Sequence, residues 1–290
     1  MGEKATTIDE QIDKLESRGL IIQDKEKAKE LLLDIGYYRL GFYSYFFQDQ
    51  DNNFLKDTKF KDIRLLYYLN IDLKNLLIKY LNRIEINFRT KIIYYVSNEY
   101  KDNPTWFIHG NIMNKEYMIN FKEKVYTKEF IRTNKMIFKH HIKYPNDKFA
   151  PAWKTFEYMT FGAVIKAYQS LKDKTLKEII ASEYGLKNIK VFQNLLDTLR
   201  FLRNTCAHGG VLCDLRTPKG IKKITGKLEF HNDDRYSLNT CFNVMLFMLN
   251  SISKNRAQDF QNEVNSLFLE FKDHPQISNI IENNIRYRYI

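Results

Sequence analysis

The feature of this sequence that most constrains its fold is a long stretch, residues 62–99, that contains neither proline nor glycine. Apolar side chains recur in it every three or four positions, the spacing of one face of an α-helix. The predicted apolar face consists of Leu65, Tyr68, Leu69, Leu73, Leu76, Leu77, Tyr80, Leu81, Ile84, Phe88, Ile92 and Tyr95. The stretch therefore predicts one long helix or two stacked ones.

Shorter helices are predicted on both sides of this stretch. Thr7 and Glu10 have the spacing of a capping box at the start of a first helix, and residues 24–36 predict a second. The aromatic segment YYRLGFYSYFF (residues 37–47) predicts a short helix or an extended piece packed on the core. Pro151 suits the first turn of another helix. The apolar face of that helix would hold Trp153, Phe156, Met159 and Ala163 or Val164.

Further helices are predicted over residues 187–208, 237–250 and 257–271, because only 5 prolines and 11 glycines occur in the 290 residues. An irregular segment that holds a small hairpin is expected directly after residue 208. We find no internal repeat and no clear linker. The prediction is a single mostly helical domain over residues 1–290. It divides into an N-terminal helical region (1–60), a core (61–210) and a C-terminal irregular segment plus helices (211–290).

The charge balance indicates the type of partner. Lysine and arginine number 46 and aspartate and glutamate 35, which leaves a net charge of +11. Such an excess favours a polyanion, either nucleic acid or an acidic membrane surface. An even spread of lysines over a solvated surface would give the same total. Charge alone therefore only favours nucleic acid.

Cysteine usage and the termini favour a cytoplasmic protein without a cofactor. The three cysteines are Cys206, Cys213 and Cys241, an odd number that suits a reducing compartment rather than a disulfide framework. His140 and His141 have no regular metal-ligand spacing with them, so we expect no metal. No glycine-rich phosphate loop is present, and we expect no small-molecule cofactor.

The N-terminus has no signal-peptide pattern, and CFNVMLFMLNSI is too short to span a membrane.

The segment LRFLRNTCAHGG, residues 199–210, combines an apolar face with a polar one. On a helix, one side holds Phe192, Leu195, Leu199, Leu202 and Cys206. Arg200, Asn204 and His208 lie four residues apart and form a row on another face. Arg203 lies about 140° around the helix from His208. For these two side chains to act together, either the last turn of the helix is distorted, or Arg203 meets a histidine of another chain.

These polar side chains have the chemistry that cleaves RNA. Histidine transfers protons near neutral pH, so His208 would act as general base or acid. Arg203 could stabilise negative charge on a phosphate, and Asn204 could orient the imidazole or bind the same phosphate. The alternative is a C-terminal histidine favoured by the helix dipole, beside arginines on a solvated face. From these residue types alone, the alternative interpretation is favoured over the catalytic one.

The sequence also resembles a known family. RNTCAH is similar to the signature of HEPN-domain ribonucleases, an arginine followed by four to six residues and a histidine. The wider pattern resembles abortive-infection proteins of the bacterial Abi D/F type. Ordered blocks within residues 10–210 carry that resemblance: EQIDKLESRGLII with GYYRLGFYSYFF, NRIEINFRTKIIYYVSNEY, PAWKTFEYMTFGAVIKAYQSL and LRFLRNTCAHGG.

The resemblance implies an all-α, HEPN-like helical bundle in a phage-defence or toxin–antitoxin-like system. It implies a homodimer in which two Arg/His motifs form one cleft, with Arg203, Asn204 and His208 at the catalytic positions. RNA would be the substrate, and a small noncoding RNA would be a further possible partner. Many relatives continue with a second histidine and an R-L-W-N-R-like string. This chain instead reads GGVLCDLR and keeps only Arg216 of it.

Other arginines are candidate RNA contacts. Glu85 and Arg89 lie four apart on the long predicted helix, so Arg89 could bind RNA while Glu85 positions it. An ion pair that bridges two helices explains them equally well. Arg39 lies among aromatic residues and could hold a phosphate beside a stacked base, although packing of the tyrosines is the simpler interpretation. Arg200 and Arg216 complete the predicted RNA-binding set.

Two functions remain open from the sequence. The first is a metal-independent endoribonuclease with Arg203 and His208 as the catalytic pair. The second is a non-catalytic RNA-binding protein that holds a structured noncoding RNA. A purely protein-binding helical module is a third and weaker possibility.

Overall fold

A computed structural model of the chain describes residues 4–288, and in this part the regular secondary structure is helical. The α-helices are α1 (Ile8–Glu16), α2 (Lys25–Asp34), α3 (Tyr37–Ser44), α4 (Phe60–Glu99), α5 (Lys115–Asn120), α6 (Lys128–Thr133), α7 (Lys135–Lys143), α8 (Ala152–Thr155), α9 (Phe161–Ser170), α10 (Lys174–Ser182), α11 (Ile189–Ala207), α12 (Leu238–Ile252), α13 (Lys254–Leu269) and α14 (Pro275–Ile280). Only isolated β-bridges occur in addition among these residues. The chain is therefore all-α, as predicted.

The long helix α4 is the centre of the fold. It is one continuous helix of 40 residues, and it contacts α3 and each of the helices α8 to α14. Most of the predicted apolar face is buried, from Leu69 through Ile92. Tyr68, which was predicted to belong to that face, is an exception because it is exposed to solvent. Ile63 and Leu66 are buried at the start of the helix instead.

The N-terminal helices form a small layer against α4. Thr7 makes the predicted capping box, since its side chain accepts from the Glu10 backbone N–H and the Glu10 carboxylate accepts from the Thr7 N–H. The aromatic segment is helical, with α3 continuing into a 3₁₀ turn over Tyr45–Phe47. Leu40, Tyr43 and Phe47 are buried on the side of α3 that faces the core.

The PAWKTF segment differs from the prediction of one continuous helix. The short helix α8 passes into a 3₁₀ turn over Phe156–Tyr158, and Met159 has extended backbone. A separate helix, α9, begins after Thr160, whose side chain accepts a hydrogen bond from the Ala163 N–H. This N-cap stabilises the start of α9 as a separate helix. Trp153 is consequently about half exposed, although its predicted place was on the apolar face.

Residues 111–150 form several short helices instead of one long helix. The helix α5 continues as a π-helical turn at Phe121–Val125, and α6 and α7 follow as separate helices. Side chains of Asn114 and Thr127 cap the starts of α5 and α6. The segment is therefore a set of short capped helices rather than one long element.

The segment after α11 is irregular, as expected. It contains antiparallel bridges between Ile224 and Leu228 and between Arg216 and Ser237, and the first of these closes a tight hairpin-like turn. Buried apolar residues from Ile12 to Tyr287 form one continuous core. The division of the chain at residues 60 and 210 stays a prediction. None of the described helices is both long and apolar enough to cross a membrane.

Candidate functional site

The polar motif lies at the C-terminal end of α11, and the helix stops directly after it. His208 is the C-cap, Gly209 has a left-handed φ of +75°, and the Gly210 N–H donates to the Thr205 carbonyl at 3.0 Å. Glycine adopts this backbone conformation without the steric cost that a Cβ imposes. The two glycines thus turn the chain away immediately behind His208.

Gly210 has no room for a side chain. A Cβ at this position would lie 2.5 Å from the Thr205 Cγ2 and 3.1 Å from the Thr205 carbonyl oxygen. We expect Gly210→Ala to lower the free energy of unfolding by about 1–3 kcal/mol, because overpacking forces the backbone to shift. Urea denaturation measures this. Gly41→Ala is the matched control, since nothing lies within 4 Å of a Cβ there. A Gly210→Ala variant as stable as this control would contradict the steric account.

The apolar face of α11 is buried as predicted. Phe192, Leu195, Leu199, Leu202 and Cys206 pack in the core, and α11 contacts α4 and α12. Asn204 and His208 are exposed on a different face. The helix is regular through Ala207, so no distortion brings Arg203 and His208 onto one side. The angular separation expected for an ideal helix is therefore retained.

The carboxylate of Glu85 on α4 lies close to Arg203, although the Arg203 Nε has no hydrogen-bond partner among the described residues. The Oε2 atom of Glu85 lies 3.9 Å from the Arg203 Nε, and the Oε1 atom accepts from the Arg89 Nη2 at 2.8 Å. Glu85 is nearly buried, with 11% of its side chain exposed, whereas Arg203 keeps 32% exposed. One buried charge thus connects the two helices and leaves part of the Arg203 guanidinium open to solvent.

Arg89 lies mostly inside the protein. Its Nη2 also donates to the Met159 carbonyl at 3.0 Å, and its Nη1 lies 3.8 Å from a Glu157 carboxylate oxygen. Only 11% of the side chain is exposed. The guanidinium therefore joins α4 to the break between α8 and α9. An RNA contact by Arg89 stays a prediction, and Glu85 has the bridging position that the alternative interpretation described.

Arg39 contacts the turn that follows the motif. Its Nη2 donates to the Gly209 carbonyl at 2.6 Å, across 170 positions of sequence. The side chain is half-buried, so part of it remains available to a ligand. Arg39 thereby brings the N-terminal layer next to His208, which the sequence alone did not indicate.

Two further residues on α4 support the same turn, and the sequence analysis missed both. The Asn70 Oδ1 accepts from the Leu212 N–H at 2.8 Å, and its amide donates to the Tyr43 hydroxyl at 2.8 Å. Lys74, one helical turn further on, is buried with no hydrogen-bond partner for its Nζ among the described residues. Burial lowers the pKa of Lys74, and the Arg39 charge lowers it further. The sequence signal that could have identified them is the position of two polar residues, Asn70 and Lys74, within the apolar repeat of residues 62–99.

The three cysteines are buried free thiols. Burial raises the pKa of Cys206 and of Cys213 to about 12, so both thiols are neutral near pH 7. Among residues 4–288, no three His, Cys, Asp or Glu side chains are grouped so that they could hold a metal ion.

The remaining predicted arginines lie on either side of the motif. Arg200 is about half exposed, 3.6 Å from the Asp197 carboxylate. Arg216 is likewise exposed, and its Nη1 lies 3.9 Å from an Asp234 oxygen that Arg286 also approaches, at 3.2 Å. Arg200 and Arg216 are therefore accessible, although each already has a carboxylate nearby.

A groove runs along the outer face of α11. Its volume is about 340 Å³, and Arg200, Phe201, Asn204 and Thr205 of α11 line it together with Lys219 of the following segment. The lining thus combines an aromatic ring, an amide and two cations with the carboxylate of Asp197, which lies 3.6 Å from Arg200. The groove includes two of the predicted polar positions, Arg200 and Asn204, but not Arg203 or His208.

Comparison with known proteins identifies the family. The model of the Abi-like protein family matches residues 30–214, which include α3, α4 and the motif helix. No curated protein and no solved structure matches the chain significantly. Since the family model matches more than half of the 290 residues, the chain belongs to the Abi-like protein family.

Proposed function

We propose that the chain is a metal-independent endoribonuclease that acts in bacterial abortive infection or a toxin–antitoxin-like system. The observation that carries this proposal is the end of α11, where an exposed His208 and an Arg203 beside the nearly buried Glu85 accompany a solvent-facing Asn204. Membership of the Abi-like family supports the abortive-infection part. Arginine and histidine at one helix end supply charge stabilisation and proton transfer.

The proposed reaction needs only these groups. His208 takes the proton from a ribose 2′-hydroxyl, and the 2′-oxygen attacks the adjacent phosphorus. The bond from phosphorus to the 5′-oxygen breaks, and a protonated imidazole gives its proton to that oxygen. The products are a 2′,3′-cyclic phosphate and a 5′-hydroxyl. The Arg203 guanidinium stabilises the extra negative charge on the phosphorane.

A second copy of the chain would complete the site. The regular geometry of α11 keeps Arg203 and His208 on different sides of the helix. A two-fold dimer with facing motifs would place Arg203 of one copy beside the histidine of the other.

A mixed dimer tests this arrangement directly. In a dimer of Arg203→Ala with His208→Ala, a site shared between copies leaves one intact Arg203–His208 pairing. We expect such dimers, isolated through two different affinity tags, to regain about half of the wild-type cleavage rate. Either variant dimerised with itself should be inactive. A mixed dimer as inactive as the parents would contradict the shared site.

The alternative is a non-catalytic protein that binds a structured RNA. One observation favours it, because the His208 imidazole has no hydrogen-bond partner among residues 4–288 that would orient it for proton transfer. Incubation of the protein with labelled RNA in a chelator separates the two proposals. Fragments with 2′,3′-cyclic phosphate ends support the ribonuclease. Tight, salt-sensitive binding without fragments supports the binding protein and contradicts the ribonuclease.

A further inference from the structure

The outward face of the N-terminal aromatic segment has an unusual composition. Tyr38, Phe42 and Tyr45 are spaced by four and three residues, and they remain 80%, 42% and 67% exposed. The rings of Tyr38 and Phe42 meet edge to face with centroids 5.2 Å apart. The opposite side of α3 already supplies Leu40, Tyr43 and Phe47 to the core. The exposed rings are therefore not needed for packing inside the chain.

A groove of about 370 Å³ lies between this face and α1. Tyr38 and Phe42 line one side of it, and Lys14 and Arg18 line the other. Within residues 4–288 neither cation forms an ion pair, and no carboxylate lines the groove. The Lys14 ammonium lies 5.9 Å from the centre of the Tyr37 ring. The groove thus combines aromatic faces with unneutralised positive charge.

Gly41 keeps the aromatic side of the groove open. It lies inside α3, where glycine costs stability relative to alanine, and nothing lies within 4 Å of a Cβ placed there. Gly41 itself lines the groove, so a larger side chain there would occupy part of its space. The glycine therefore leaves room for a flat ligand beside the rings.

The groove is adjacent to the motif. Arg39, the neighbour of Tyr38, donates to the Gly209 carbonyl at 2.6 Å, and its Cζ lies 5.9 Å from the centre of the Phe42 ring. One arginine side chain therefore spans the distance between the aromatic face and the residue that follows His208. A ligand in the groove would lie beside the end of the motif helix.

We propose that this groove is a subsite for an unpaired nucleotide of RNA, whose base stacks on Tyr38 with Phe42 at its edge and whose phosphates approach Lys14 and Arg18. Base stacking on aromatic rings within a positively charged groove is the general mode of single-strand binding. A second copy of the chain is the less favourable occupant, because its equivalent groove would face Lys14 and Arg18 with the same two cations and no carboxylate. The proposal rests on the RNA substrate proposed above and names where its unpaired part would bind.

The test uses the His208→Ala protein, so that binding is measured without cleavage and does not depend on it. Fluorescence anisotropy gives the Kd for a labelled twelve-nucleotide oligouridine and for a duplex of the same length. We expect Tyr38→Ala and Gly41→Leu each to raise the Kd for the single strand about tenfold or more, with less effect on the duplex. The double variant Lys14→Ala/Arg18→Ala should lower the salt dependence of binding by about two phosphate contacts.

Tyr94→Ala is the matched control, because Tyr94 is an exposed tyrosine on α4 outside the groove. It should bind the single strand as the parent does. Unchanged affinity in both Tyr38→Ala and Gly41→Leu, or no single-strand binding at all, would overturn the subsite. So would a change of oligomeric state in Tyr38→Ala on sedimentation, since the face would then be an interface between copies. A failure of the ribonuclease proposal is recognised separately. In that case the wild-type protein binds RNA but does not cleave it.

Discussion

We expect the His208→Ala protein to cleave RNA at least about 100-fold more slowly than the wild type, because a positioned acid–base group contributes ~10²–10⁴-fold to the rate. The imidazole is exposed, and His208 joins the fold through its backbone N–H, which donates to Asn204 at 2.9 Å. Alanine keeps that hydrogen bond. The cleavage rate in a chelator, with the circular dichroism spectrum and thermal midpoint, measures both parts of the prediction.

His109→Ala is the control for this measurement, since His109 is also exposed but lies far from α11 in sequence, after the 3₁₀ turn Trp106–Ile108. It should cleave RNA at the wild-type rate. Undiminished cleavage by a folded His208→Ala protein would remove His208 from the mechanism. The ribonuclease proposal would then have no proton-transfer group at this helix end.

The largest loss of stability is expected for Glu85→Ala. The Glu85 carboxylate is the close partner of a nearly buried Arg89 and the neighbour of Arg203. Its removal leaves a buried guanidinium without its main counter-charge, and such a change costs about 3–5 kcal/mol. The free energy of unfolding from urea titration measures it. Cleavage should fall as well, because the carboxylate next to Arg203 is removed.

The exposed pair of Glu129 and Arg132 provides the comparison, since both side chains are more than half exposed and 2.8 Å apart. Glu129→Ala should change the free energy of unfolding by less than about 1 kcal/mol, as is usual for surface ion pairs. If Glu85→Ala lowered stability no more than Glu129→Ala does, the buried bridge would have no structural importance.

Local patterns predicted much of the fold. The uninterrupted apolar repeat of residues 62–99 predicted α4, and the same periodicity assigned Leu199 and Leu202 to the buried side of α11. The irregular segment expected directly after residue 208 agrees with the end of that helix at Ala207. These features depend on neighbours in sequence, for which helical spacing and glycine conformation are sufficient evidence.

The contacts that build the site could not be predicted in the same way. The approach of Glu85 to Arg203 depends on how α4 and α11 are rotated against each other, and the contact of Arg39 with Gly209 spans 170 residues. The break before α9 coincides with the N-cap of Thr160 and with the Arg89 contact to the Met159 carbonyl, which comes from a distant part of the chain. Sequence spacing within one element contains none of this information.

The turn behind His208 is held through main-chain atoms, since Arg39 binds the carbonyl of Gly209 and Asn70 binds the N–H of Leu212. Every residue type offers a carbonyl, and all but proline offer an N–H. The path of this turn thus depends on these two main-chain contacts together with the two glycines and the buried Leu212, Cys213 and Leu215. Substitutions at Arg39 and Asn70, two residues far away in sequence, would therefore release this turn from the rest of the fold.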